Sequence, residues 1–120
     1  MEAHKILVVD DSPTDLHLLT GYLVNNGYTP VTAVNGEEAI AKAASEQPDL
    51  ILMDVVMPGM NGYEATRALS RNPATARIPV LMVSSKDQEI DKIWGMRQGA
   101  KDYLAKPVDE HTLIGKIRSL

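Results

Sequence analysis

The stretch KILVVDDSP, residues 5–13, decides the fold: an unbroken run of apolar residues stops at two acids and passes into Ser-Pro. Apolar residues in succession, with no polar alternation, suit a strand covered on both faces, as in a helix-flanked parallel sheet. Ser12 then caps a helix, and Pro13 takes its first position, where a missing N–H costs nothing. Three further apolar runs end in a comparable way: LILM (50–53) at Asp54, VLMV (80–83) at Ser84, and DYLA (102–105) at Lys106-Pro107. Parallel sheets bind ligands in the crevice beyond the carboxyl ends of their strands, so side chains from four strand ends can meet there. Three carboxylates, a hydroxyl and an ammonium meeting at one point describe a metal-assisted phosphoryl site.

Outward from this stretch, strand and helix patterns alternate about five times. Strands are expected at 5–10, 30–34, 50–53, 80–83 and 102–105. The first helix runs from Ser12 to near Gly27 with Leu16, Leu19 and Leu23 on one face. The second follows Asn35-Gly36, buries Ala39, Ile40, Ala43 and Ala44, and stops before Pro48. Further helices are expected at 63–71, 87–98 and 110–118; in the fourth, Ile93 and Met96 face the core, Trp94 flanks them, and Gly99 is the stop. Strands separated by helical crossovers are parallel, with helices on both faces: an α/β, doubly wound, five-stranded sheet. If Asp10, Asp11 and Asp54 share one ion, the first strand lies beside the third. Ser84 and Lys106 then lie beyond it, giving the flavodoxin-like order 2-1-3-4-5.

Composition narrows the function. The 120 residues, 44% of them apolar, suffice for one domain with its own core; one domain over 1–120 is expected, a monomer without an output module. A net charge of −4 and the lack of a basic run argue against nucleic-acid binding. The start, MEAHKILVVDD, is neither a signal peptide nor a membrane span, so a cytoplasmic protein is the default expectation. Without cysteine there is no disulfide, thiolate catalysis or thiolate-held metal.

Four motifs, VVDDS (8–12), MDVVMPGMNG (53–62), VSS (83–85) and DYLAKP (102–107), carry a resemblance over the whole chain. Together, in this order and spacing, they resemble the bacterial response-regulator receiver domain of the single-domain chemotaxis type. ATARIPVLMVSSKDQ and IWGMRQGAKDYLAKPV are also similar to receivers that regulate type IV pili in twitching motility. The resemblance implies Asp54 as phosphoryl acceptor, and Asp10, Asp11 and the carbonyl of Val56 as further ligands to Mg2+. It implies Ser84 as the hydroxyl that closes on the phosphoryl group, Lys106 as its cationic partner, Tyr103 as a switch aromatic that turns inward on phosphorylation, and a cis bond before Pro107. Asn61 stands where many members carry Asp. Val56 and Lys86 occupy positions that tune phosphoryl lifetime. The implied partners are a histidine kinase or phosphotransfer protein and a downstream protein that docks on the fourth helix, fifth strand and fifth helix.

Elementary electrostatics agrees. Two unit charges about 4 Å apart interact by roughly 4 kcal/mol at an effective dielectric near 20, so three clustered carboxylates need compensation. Three aspartates against one lysine and one divalent cation sum to zero, and an all-oxygen donor set favours Mg2+. Three other classes fit the residues less well. A flavodoxin would offer hydroxyl and amide donors where DDSPTD offers carboxylates, and a haloacid dehalogenase-type phosphatase would place a second acid two residues after its nucleophile, where Val56 stands. A degenerate receiver that only docks is disfavoured by the intact set Asp10, Asp11, Asp54, Ser84 and Lys106. His4, His17 and His111 are scattered and read as solvated or structural.

Overall fold

The computed structural model describes residues 4–120. Its strands are β1 (Lys5–Val9), β2 (Thr29–Ala33), β3 (Leu50–Met53), β4 (Val80–Ser84) and β5 (Asp102–Ala105), and its helices are α1 (Pro13–Asn25), α2 (Gly36–Glu46), α3 (Gly62–Arg71), α4 (Glu89–Arg97) and α5 (Glu110–Ser119). All strand pairs are parallel, in the order β2-β1-β3-β4-β5 that the motifs required. No helix among the described residues is long and apolar enough to cross a membrane.

The two-residue strand period divides the core into two layers. Leu7, Val9, Ile51, Met53, Val80, Met82 and Tyr103 face one side and pack with Ala39 and Ala43 of α2 and Ala65 and Leu69 of α3. Ile6, Val8, Leu50, Leu52, Leu81 and Val83 face the other, against Leu19 and Leu23 of α1 and Leu113, Ile114 and Ile117 of α5. Every residue of β3 and β4 is buried, which is why those strands read as continuous apolar runs. Each large aliphatic side chain so enclosed contributes about 1.5 to 3 kcal/mol relative to exposure.

Several details depart from the pattern reading. β2 begins at Thr29, whose N–H donates to the His4 carbonyl at 2.7 Å; Pro30 is tolerated because β2 pairs on one side only. Ala44 is exposed, since the buried stripe of α2 is the narrower Gly36, Ala39 and Ala43. α4 starts at Glu89, after a loop over 85–88, with the Asp91 carboxylate accepting from the Gln88 N–H at 3.1 Å. The largest departure is the face of α4. Ile93 and Met96 were expected in the core but are 41% and 46% exposed, alongside Ile90 and Trp94. The buried residue of this helix is Gly95. A Cβ there would lie 2.7 Å from the Met82 sulfur and 3.2 Å from the Tyr103 ring, so the helix backbone itself packs on the sheet and turns its apolar side chains outward.

Gly62 is the tightest approach: a Cβ would come 1.9 Å from the Asp54 carbonyl oxygen. Gly62→Ala should lower stability by about 1 to 3 kcal/mol, as overpacking against backbone does. Gly115→Ala, on α5 with nothing within 4 Å, should be neutral or stabilising by up to about 1 kcal/mol. Urea unfolding of both variants checks the pair, and a Gly62→Ala midpoint equal to the parent's would contradict the packing.

Candidate functional site

Ladder hydrogen bonds continue past the ends of the strands and set the site. The Asp10 N–H donates to the Ala33 carbonyl at 3.0 Å, the Asp54 N–H to the Val9 carbonyl at 2.9 Å, and the Lys106 N–H to the Ser84 carbonyl at 2.8 Å. Asp10, Asp54, Ser84 and Lys106 are therefore held in sheet register although their side chains lie at its edge. Beyond β3, the loop is closed by the Gly62 N–H on the Val55 carbonyl at 2.8 Å. A reciprocal cap follows: Asn61 Oδ1 accepts from the Glu64 N–H and Glu64 Oε1 from the Asn61 N–H. Asn61 serves this turn with its side-chain oxygen.

Asp10, Asp11 and Asp54 each offer a carboxylate oxygen, all within 4.8 Å of one another. Asp10 and Asp54 are buried and Asp11 is exposed, so the cluster has one open side. Asp10 Oδ1 accepts from the Ser12 N–H at 3.0 Å, and Asp54 Oδ1 from the Val55 N–H at 2.9 Å. Among the described residues no protein donor hydrogen-bonds Asp54 Oδ2 or the carbonyl of Val56. Three hard carboxylates open to water suit Mg2+, which takes oxygen ligands and keeps part of its hydration shell.

Lys106 answers the carboxylates from the far side. Its ammonium donates to Asp10 Oδ2 at 2.6 Å and to Asp15 Oδ2 at 2.8 Å, and lies 3.6 Å from Asp54 Oδ1. The Lys106–Pro107 peptide is cis. Burial alone would lower the lysine pKa, but the hydrogen bonds to Asp10 and Asp15 and the charge of Asp54 outweigh it and raise it to about 12. Burial, then the neighbouring Asp10, push Asp54 the other way, up to about 6, against the pull of Lys106 and the Val55 N–H. Asp15 was not singled out in the sequence. The signal was there: it follows Asp10 by five residues, in the first turn of a helix that starts at the carboxyl edge of the sheet.

Ser84 is fully buried, and its Oγ accepts from the Lys86 N–H at 3.2 Å. Tyr103, 7% exposed, donates from its hydroxyl to the Lys86 carbonyl at 2.6 Å. Both backbone polar groups of Lys86 are thus engaged, one by each residue. The tyrosine ring already lies inside, so an inward turn on phosphorylation does not describe this structure. Burial raises the Tyr103 phenol, partly offset by hydrogen bonding with Ser84 and Tyr63.

A five-stranded 2-1-3-4-5 sheet with an acidic trio, a hydroxyl and a lysine at its carboxyl edge is the arrangement of a receiver in two-component signalling. The chain belongs to the response regulator receiver domain family, whose model matches residues 6–118. It is 53% identical to protein PilH of Pseudomonas aeruginosa over 116 residues, which is 97% of this chain and 96% of that protein. Among solved structures it is similar to the chemotaxis protein CheY4 of Vibrio cholerae, at 33% identity and TM-score 0.92 with 98% of each chain covered. It is also similar to a chain in the CheX–CheY–BeF3–Mg complex of Borrelia burgdorferi, at 27% identity and TM-score 0.91, covering 97% of this chain and 87% of that one. Receiver domains are signalling proteins that bind Mg2+ at an acidic pocket and engage histidine kinases or phosphotransfer proteins.

The raised Asp54 pKa has a definite sign for stability. The folded chain holds this proton to higher pH than the unfolded one, so the contribution is unfavourable above about 6 and disappears below about 4. Asp54→Asn should therefore be more stable than the parent at pH 7 without divalent ions, by on the order of 1 to 3 kcal/mol. The gap should close as pH falls toward 4. Urea midpoints across that range give the measurement; a gap that widens on acidification would contradict the electrostatics.

Proposed function

We propose that this chain is a phosphorylation-dependent switch of a two-component phosphorelay. Asp54 accepts a phosphoryl group from a histidine kinase or phosphotransfer protein, and the resulting change in shape alters affinity for a downstream protein. The observation that supports this most is the state of Asp54: a buried carboxylate with one oxygen tied to the Val55 N–H and the other free of protein donors.

The free oxygen attacks phosphorus in line, the bond from phosphorus to the donor's nitrogen breaks, and an aspartyl phosphate forms. Asp10, Asp11, Asp54 and the Val56 carbonyl would hold Mg2+, which would supply Lewis-acid stabilisation of charge on the phosphoryl oxygens. Lys106, already 3.6 Å from Asp54, needs only a small displacement to reach the new oxygens. Ser84 can rotate to donate to them, and in doing so it gives up the Lys86 N–H. The loop over 85–88 then loses one of its two holds and the start of α4 loosens. The protein acts on no separate substrate and catalyses only its own phosphorylation and dephosphorylation. It works as a monomer in the cytoplasm.

The outward apolar face of α4, with Ile90, Ile93 and Trp94, is where a partner reads this change, together with β5 and α5. Similarity to PilH of Pseudomonas aeruginosa supports a role in pilus-related control.

Incubation with a small phosphodonor such as acetyl phosphate and Mg2+ should add one phosphoryl group, and neither Asp54→Asn nor excess chelator should allow it. Labelling of Asp54→Asn at the parental rate would sink the assignment. Output is tested separately. Trp94 is the chain's one tryptophan and is 47% exposed, so its fluorescence should change when beryllium fluoride and Mg2+ are added together. If amide signals change near Asp54 while Trp94 and the α4 amides stay silent, the output surface is misplaced.

A further inference from the structure

Lys106 has a second allegiance that the phosphoryl chemistry does not require. Its ammonium bonds Asp15 Oδ2 at 2.8 Å, while its 3.6 Å separation from Asp54 Oδ1 is too long for a hydrogen bond. Asp15 does not belong to the metal-ready trio of Asp10, Asp11 and Asp54. Its backbone is fixed in the first turn of α1, where its N–H donates to Ser12 Oγ at 3.2 Å. The carboxylate itself is 36% exposed, against 1% for that of Asp10. A carboxylate open to water is rehydrated when its lysine leaves; a buried one is not.

We propose that Asp15 is a positioning residue that latches Lys106 on the α1 side of the site in the unphosphorylated chain. It sets the threshold at which the lysine transfers to the phosphoryl group. This rests on the reading of Asp54 as phosphoryl acceptor. A phosphoryl group brings about −1.5 to −2 charge and three acceptor oxygens, so it outcompetes a single half-exposed carboxylate for the ammonium. Asp10 keeps a claim on Lys106 in both states through its buried Oδ2; Asp15 is the partner that must let go. The latch therefore biases the resting state by the strength of one partly exposed ion pair, a modest amount that tunes the switch without blocking it.

The test is a double-mutant cycle on beryllium fluoride affinity in saturating Mg2+, with the parent, Asp15→Asn, Lys106→Ala and the combined variant. Asp15→Asn should bind the mimic roughly two- to fivefold more tightly than the parent, the range set by an exposed ion pair. In the Lys106→Ala background the same substitution should have clearly less effect, because Asp15 acts through the lysine. Asp15→Glu, which restores the carboxylate, should return affinity toward the parental value. Thermal unfolding of Asp15→Asn checks that the fold is intact. Equal tightening in both backgrounds would reduce Asp15 to a distant charge and overturn the latch, as would unchanged affinity in Asp15→Asn. A parent that binds neither Mg2+ nor the mimic would overturn the phosphoryl-acceptor reading itself. Binding by the parent without coupling between Asp15 and Lys106 would remove the latch alone.

Discussion

One ammonium group holds the site together. Lys106 contacts Asp10, Asp15 and Asp54 at once, and among the described residues no other side chain forms a salt bridge with Asp10 or Asp54. Like charges this close, partly removed from water, repel by several kcal/mol unless opposed. The sheet supplies the opposing restraint. Parallel ladder bonds run one residue past the strand ends and hold the backbones of Asp10, Asp54 and Lys106 in place, so the carboxylates cannot relax by moving apart. Burial of Asp54, and after it the charge of Asp10, show instead as a proton affinity above that of an ordinary carboxylate, up to about 6.

That arrangement explains why the motif-bearing parts of the chain were readable. A residue directly after a buried parallel strand has its position fixed by the ladder, so strand assignment located Asp10, Asp54, Ser84 and Lys106, and the need for the three aspartates to share one ion put β1 beside β3. The continuous apolar runs of β3 and β4 left no competing interpretation, because both faces are covered.

The less legible residues share a physical reason. Asp15 joins the site through the rotation of the first turn of α1, which strand periodicity does not report. Ile93 and Met96 were assigned inward on helical spacing, but the pattern assumes that apolar side chains face the core. In α4 the contact is made by a glycine, whose missing side chain admits the Met82 sulfur and the Tyr103 ring, so the apolar stripe marks the solvent side. Ala44 failed for a milder version of the same cause: alanine is small enough to sit on either face of a helix. The inward position of Tyr103 comes from packing in the core layer beneath Gly95 together with the hydrogen bond to the Lys86 carbonyl, contacts that spacing cannot anticipate.

The glycine contact beneath α4 also bears on how the five helices differ in their hold on the sheet. α1 buries Leu19 and Leu23, α3 buries Ala65 and Leu69, and α5 buries Leu113, Ile114 and Ile117, whereas α4 buries only Gly95. Detaching or sliding a helix exposes the apolar area it had covered; α4 buries no aliphatic side chain of its own, and what it covers is the Met82 sulfur and the Tyr103 ring beneath Gly95. Steric fit over Met82 and Tyr103 and a few polar contacts at its N-terminal loop keep it in place, with no buried aliphatic side chain of its own. Among the five, α4 is the helix that can be displaced with the smallest loss of solvent-excluded surface, a mechanical soft spot inside an otherwise stiff three-layer body.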